Sequence, residues 1–179
     1  MTMREYIDKV AVTVEQVQRK VMDFVRERDN VTIIGAWAVN MYADDVDEEQ
    51  RQTADIDLMT TDADMQVLLT AYVYAHLGVR LKNHSVYPDL VRLYVDGMNN
   101  NKPIVDIVRG TAESENKDGL RVATIRWQIE NKKKAIASPA RSEIKRLRDR
   151  SDLLILEKAE ACRNKSGDVT ILMPRKPAL

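Results

Sequence analysis

The chain has 179 residues, and its 28 lysines and arginines balance 28 acids, so the formal net charge is zero. That balance excludes a globally basic nucleic-acid coat but leaves room for a local basic patch. A hydrophobic fraction of 44% and a charged fraction of 31% describe a globular protein of one domain, or one domain with a small helical appendage. No apolar stretch is long enough to span a bilayer. The segment 1–9 carries Arg4, Glu5, Asp8 and Lys9, so it lacks the apolar core of a signal peptide. Cys162 is the only cysteine, and His76 and His84 are the only histidines. An internal disulfide, a zinc cluster and a His-rich metal site are therefore not expected. The expectation is a cytoplasmic protein with no membrane partner.

The first predicted element is a helix over 3–28, because Ile7, Val10, Val14, Val17, Val21, Phe24 and Val25 recur on one face. Asp29-Asn30 turns the chain into a β-branched strand, Val31 to Ile34, ended by Gly35. Ala36 to Ala43 reads as a short helix, Asp44 to Gln50 as an acidic loop, and Ala54 to Thr60 as a second strand. Asp62 is the expected N-cap of a helix reaching about His76, which Gly78 stops. Strands follow around Val79–Lys82, Leu90–Val95 and Pro103–Val108. The last two form an antiparallel hairpin across Asp96-Gly97 and the Asn-rich tip Asn99–Asn101.

From Ile125 the spacing turns helical, with Ile125, Ile129, Lys133 and Ile136 on one face. Ser138-Pro139 interrupts it. A second helix, Ala140 to Arg163, is expected to bury Ile144, Leu147, Leu154, Ile155 and Ala159. The expected organisation is an α/β core with its N-terminal helix over 1–120, a helical part over 121–164, and a tail or edge strand over 165–179. The fold class is α/β (α+β), a mixed sheet flanked by helices with a small C-terminal helical part.

The chemistry concentrates in Arg51-Gln-Thr53-Ala-Asp55-Ile-Asp57-Leu58. Carboxylates at i and i+2 of a strand point to the same side and repel unless a cation lies between them. Asp106 sits inside the apolar run Ile104–Val108, where a bare carboxylate is expensive to bury. Three converging carboxylates suit magnesium, a hard cation that prefers oxygen. Two such ions about 4 Å apart serve phosphoryl transfer, with the third acid as ligand or as base for an attacking hydroxyl. Gly35 at a strand-to-helix junction lets a phosphate approach the backbone, and the helix from Ala36 offers free N–H groups to a triphosphate. Arg51 and Thr53 lie just ahead of the acids. The plainer readings are a turn glycine at Gly35, an Arg51 bridge to the Asp44–Glu49 acids, and an Asp106 bonded to a loop. Lys132–Lys134 with Arg141, Lys145, Arg146, Arg148 and Arg150 forms the densest basic stretch. It is either a solvated helical face or a patch for phosphates or RNA.

These residues resemble the nucleotidyltransferase superfamily, the DNA polymerase β-like fold. The resemblance rests on Gly35-Ala36 at a strand end, Asp55-Ile-Asp57 on the next strand and Asp106 on a later one. Arg51-Gln-Thr53-Ala-Asp55-Ile-Asp57-Leu58 is similar, more narrowly, to AbiEii-type toxin nucleotidyltransferases. So is the later stretch Lys134-Ala-Ile-Ala, Arg141, Lys145, Asp149 and Asp152-Leu153. Ala36 stands where the family usually has Gly or Ser.

The resemblance implies Asp55, Asp57 and Asp106 as catalytic magnesium ligands, and Gly35, Ala36, Arg51, Thr53, Lys134 and Lys145 as nucleotide-binding residues. It implies transfer of an NMP from an NTP to a hydroxyl of RNA, such as a tRNA end, or of a protein, with a cognate antitoxin as partner. The alternatives are a small-molecule, aminoglycoside-like nucleotidyltransferase, and a catalytically silent nucleotide- or partner-binding module of the same fold.

Overall fold

The computed structural model describes residues 12–84 and 87–166. Helix α1, Val14–Arg26, starts at an N-cap, Thr13, that forms a reciprocal capping box. The Gln16 amide donates to Thr13 Oγ1 at 3.2 Å, and the Thr13 amide donates to Gln16 Oε1 at 2.9 Å. A helix running unbroken from residue 3 is therefore corrected. The Thr13 hydroxyl competes for the first N–H groups and fixes a start at Val14, and residues 3–11 lie outside the described part. Val17, Val21, Phe24 and Val25 form the buried side of α1, as the spacing predicts.

Strand β1, Thr32–Ile34, leads directly into helix α2, Gly35–Ala43, and a short 3-10 turn over Asp44–Val46. Strand β2, Ile56–Thr60, precedes helix α3, Met65–Leu77, and the two-residue strand β3, Lys82–Asn83. Strands β4, Leu90–Tyr94, and β5, Val105–Arg109, form the expected antiparallel hairpin. A second hairpin, β6 (Ser114–Lys117) and β7 (Leu120–Ala123), is not among the predicted strands. Asp118 and Gly119 at its tip both have positive φ, the geometry of a two-residue hairpin turn. Helices α4, Ile125–Ala137, and α5, Glu143–Ser166, close the described chain.

The seven strands form one mixed sheet in the order β3-β4-β5-β2-β1-β7-β6. β2 pairs antiparallel with β1 and parallel with β5, and β1 pairs parallel with β7. Alternation assigns the two faces. Ile33, Ile56, Leu58, Val105 and Ile107 are buried in the core on one face, so Asp57 and Asp106, paired in register, share the other.

Two local expectations change. Asp64, not Asp62, is the N-cap position of α3. The Asp62 carboxylate instead accepts the Asp64 amide at 2.9 Å and the Asn30 side-chain amide at 3.1 Å, a turn that competes with capping. Gly78 ends α3 in the left-handed conformation, as expected. α5 begins at Glu143, and its inward face is Asp149, Asp152, Leu156 and Ala159. Ile144, Leu147 and Leu154, expected inside, are exposed. The helix is rotated from the purely apolar reading because two buried aspartates anchor it by ion pairs. The expected tail strand lies largely in 167–179, outside the described residues. Among the described residues no helix is long and apolar enough to cross a membrane.

Candidate active site

Asp55 lies in the bend just ahead of β2, and Asp57 is the second residue of that strand. Asp57 pairs across to Ile34 of β1 on one side and to Asp106 of β5 on the other. Each acid offers an oxygen, and the three oxygens lie within 4.8 Å of one another. Burial first, then the charges of Asp55 and Asp106, push the Asp57 carboxyl up to about 7. Burial also raises Asp106 to about 6, opposed by the Arg92 guanidinium beside it. Arg92 pairs with Asp106 across β4 and β5, with Nε 3.4 Å from Oδ2. The other oxygen, Oδ1 of Asp106, is buried with no hydrogen-bond partner. A buried unpartnered oxygen beside two further carboxylates fits a divalent cation with oxygen preference. Asp55, Asp57 and Asp106 are the residues that would hold it.

Gly35 stands against this trio with φ +65°. A Cβ there would overlap the Asp57 carboxylate, with Asp57 Cγ only 2.8 Å away. Glycine at this position is required twice, by its backbone conformation and by the close seat of Asp57. Ala36 is buried in the first turn of α2. The N-cap of that helix, Ile34, makes no side-chain cap hydrogen bond, so the first-turn N–H groups are not taken by a side chain.

Arg51 is held at both ends. Asn40 of α2 clamps its main chain, donating to the Arg51 carbonyl at 2.7 Å and accepting from the Arg51 amide at 3.0 Å. Its guanidinium donates to Asp152 at 3.2 Å, while Nε is buried without a partner. The alternative bridge to the Asp44–Glu49 acids does not form. Asp45 instead pairs with Lys117 and Arg163, and Glu48 with Lys158. Thr53 donates its hydroxyl to the Asp55 carbonyl at 2.5 Å, shaping the bend ahead of the acids. Gln18 and Asn99 both donate to the Ala54 carbonyl, fixing the same bend from two sides.

The sequence reading missed Lys132. Its ammonium is nearly buried between Asp149 Oδ1 at 3.0 Å and Asp152 Oδ2 at 2.6 Å. Arg141 completes the network, 2.7 Å from Asp149. The positive charges of Lys132 and Arg51 act on Asp57 and oppose its upward shift. Lys134 is exposed on α4, away from this network. Lys145 is exposed on α5, yet its charge reaches Asp106 and lowers it. The signal for Lys132 was present in principle. Lys132 precedes Ala135 with the spacing Lys-x-x-Ala, and Asp149 and Asp152 are three apart on one helix side. Three consecutive lysines concealed which one points inward.

The mixed seven-stranded sheet with its flanking and C-terminal helices is an α/β, nucleotidyltransferase-like fold. Solved structures show the same fold. The chain resembles the Megavirus polyadenylate synthase with a TM-score of 0.66 and 14% identity, over 90% of this chain and 34% of that one. JHP933 from Helicobacter pylori gives 0.57 and 19%, over 80% and 64%. The antibiotic-resistance factor ANT(2'')-Ia gives 0.52 and 16%, over 87% and 93%. The same factor in complex with adenylyl-2''-tobramycin gives 0.50 and 18%, over 84% and 96%. The chain thus spans about a third of the polyadenylate synthase and nearly two thirds of JHP933. No family model and no curated sequence matches it.

Proposed function

We propose that this chain is a magnesium-dependent nucleotidyltransferase of the AbiEii toxin type, moving an NMP from an NTP to a hydroxyl of RNA, such as a tRNA end, or of a protein. The observation that carries the reading is the trio Asp55, Asp57 and Asp106, one of whose buried oxygens lacks a partner, facing the cations Arg51 and Lys132. The uncapped start of α2 offers donors to the triphosphate. Gly35 leaves room for the Asp57 carboxylate. Asp106 accepts the proton of the attacking hydroxyl. The acceptor oxygen then bonds to the α-phosphorus, the α–β bridging bond breaks, and pyrophosphate departs. A magnesium ion held by Asp55, Asp57 and Asp106 would supply charge neutralisation to this phosphoryl transfer.

A macromolecular acceptor is supported by charge. Lys133, Lys134, Lys145, Arg148 and Arg150 are exposed on α4 and α5, and Lys145 acts electrostatically on Asp106. A polyanion reaching the third acid along this flank meets more cations than acids, Lys133 being paired with Glu157 and Arg146 with Glu143. In a toxin–antitoxin setting a cognate antitoxin would cover this site.

A small-molecule acceptor is the second reading. It is favoured by size, since the chain aligns with almost the whole of ANT(2'')-Ia. The test is incubation with each labelled NTP and magnesium, with total tRNA, protein extract or a purified aminoglycoside as acceptor in separate arms. The arm that labels identifies the acceptor. Labelling that persists in Asp55→Ala/Asp57→Ala would sink the mechanism, and NTP binding without label in any arm would mark a silent module.

A further inference from the structure

Helix α3 has no Asp, Glu, Lys or Arg within Met65–Leu77. Met65, Leu69 and Val73 face the core. On the opposite side Val67 is 65% exposed, Leu68 42% and Tyr74 53%, with Ala71 and Ala75 exposed between and beside them. A surface helix ordinarily carries its charges on its outer face, and an outer face of Val67, Leu68, Ala71, Tyr74 and Ala75 without a charge marks a contact surface.

The charges occur only at the ends. Asp62 and exposed Asp64 precede the first turn. His76 occupies the last turn, and Arg80 follows Gly78 with its guanidinium 5.8 Å from the Tyr74 ring centre.

We propose that this face is the contact of a two-fold symmetric homodimer, with α3 packed antiparallel on α3 of a second copy. The distribution of charge selects that occupant. Antiparallel pairing centred on Ala71 brings the acidic end of each copy to the basic end of the other, twice by symmetry. Parallel pairing would set acids on acids. Across the same centre Val67 meets Ala75, and Leu68 meets Tyr74, so large side chains oppose smaller ones. Ala71 at the crossing lets the two helices approach closely. A polyanion finds no cation on this face. The chain's own segment 1–11 has Ile7 and Val10 as well as Arg4, Glu5, Asp8 and Lys9, and is the rival occupant that the test separates.

The test is sedimentation of the full chain from low micromolar to submillimolar concentration. The wild type is expected to be dimeric. Ala71→Glu, a good helix former at an exposed site, is expected to be monomeric with an unchanged melting temperature at low concentration. Asp64 makes no side-chain cap hydrogen bond, so Asp64→Lys is a mild change. Asp64→Lys and Arg80→Glu should each weaken the dimer about tenfold or more in Kd, and the two together should recover part of the loss, Asp62 remaining opposite position 80. A monomeric wild type throughout, or a dimer that survives Ala71→Glu, overturns the proposal. So does a fall in the melting temperature of monomeric Ala71→Glu, which would mean that residues 1–11 cover the face. Failure of the double charge reversal to rescue overturns the antiparallel arrangement.

Discussion

Gly35 and Asp57 are seated so closely that no side chain fits between them: Asp57 Cγ lies 2.8 Å from where a Gly35 Cβ would stand. The carboxylate of the central acid is thus aimed by a missing atom on the neighbouring strand end. Gly35→Ala is expected to lower stability by about 2 kcal/mol and to abolish transfer by displacing Asp57. Gly35→Asn separates the two causes. Asn tolerates the left-handed backbone but still carries a Cβ, so it should regain some stability and no activity. Urea unfolding alongside the labelling assay reads both.

The acid trio opposes folding when no cation is bound. The Asp57 carboxyl is pushed from its ordinary value of 3.8 up to about 7 by burial and its acidic neighbours. The folded state therefore keeps a proton that the unfolded state has lost, and stability falls as pH rises from about 3.8 to about 7. In a chelating buffer the melting temperature should drop between pH 5 and pH 8. Asp57→Asn should flatten that drop, exceed the wild type in stability at the upper pH, and transfer nothing. Magnesium should raise the wild-type melting temperature more at the upper pH, where its binding has fewer protons to displace.

Asp152 receives both Lys132 and Arg51 while only 1% exposed. Removing one partner of a buried pair strands the other charges. Asp152→Ala should lower stability by about 3–5 kcal/mol in urea unfolding. Exposed Lys134→Ala should change it by less than about 0.5 kcal/mol. Equal losses in the two variants would contradict the inward position of Lys132.

Lys145 and Arg148 are exposed along α5. With an RNA acceptor, Lys145→Ala/Arg148→Ala should raise KM for the acceptor several-fold at low salt and flatten its salt dependence. A double variant with the wild-type salt slope would remove this flank from acceptor binding.

The site's acids were legible because strand alternation is strict: an i, i+2 pair on a strand can converge only on one side. Asp106 was legible because an acid in an apolar run needs a reason to be there. What escaped was set by tertiary contacts. The β6–β7 hairpin has the Asp118-Gly119 turn signal, but its first strand, Ser114–Lys117, is polar because Glu115 and Lys117 pair with Arg163 and Asp45. α5 misled for the same reason. Its buried face begins with Asp149 and Asp152, which an apolar periodicity counts as surface, so Ile144, Leu147 and Leu154 were turned inward in their place. Lys132 escaped because nothing in three adjacent lysines says which one finds two buried acids.

The order of the strands has a consequence for the protein's synthesis. The acids lie on β2 and β5, their glycine seat follows β1, and β1 is flanked by β7, which is among the last strands made. Arg51 is fixed by Asp152, 101 positions later in the chain. A chain still emerging from the ribosome therefore has its carboxylates before it has Lys132, and before it has the Asp152 that fixes Arg51. The cations Arg51 and Lys132 are fixed beside the acids only once α5 has closed on the loop before β2.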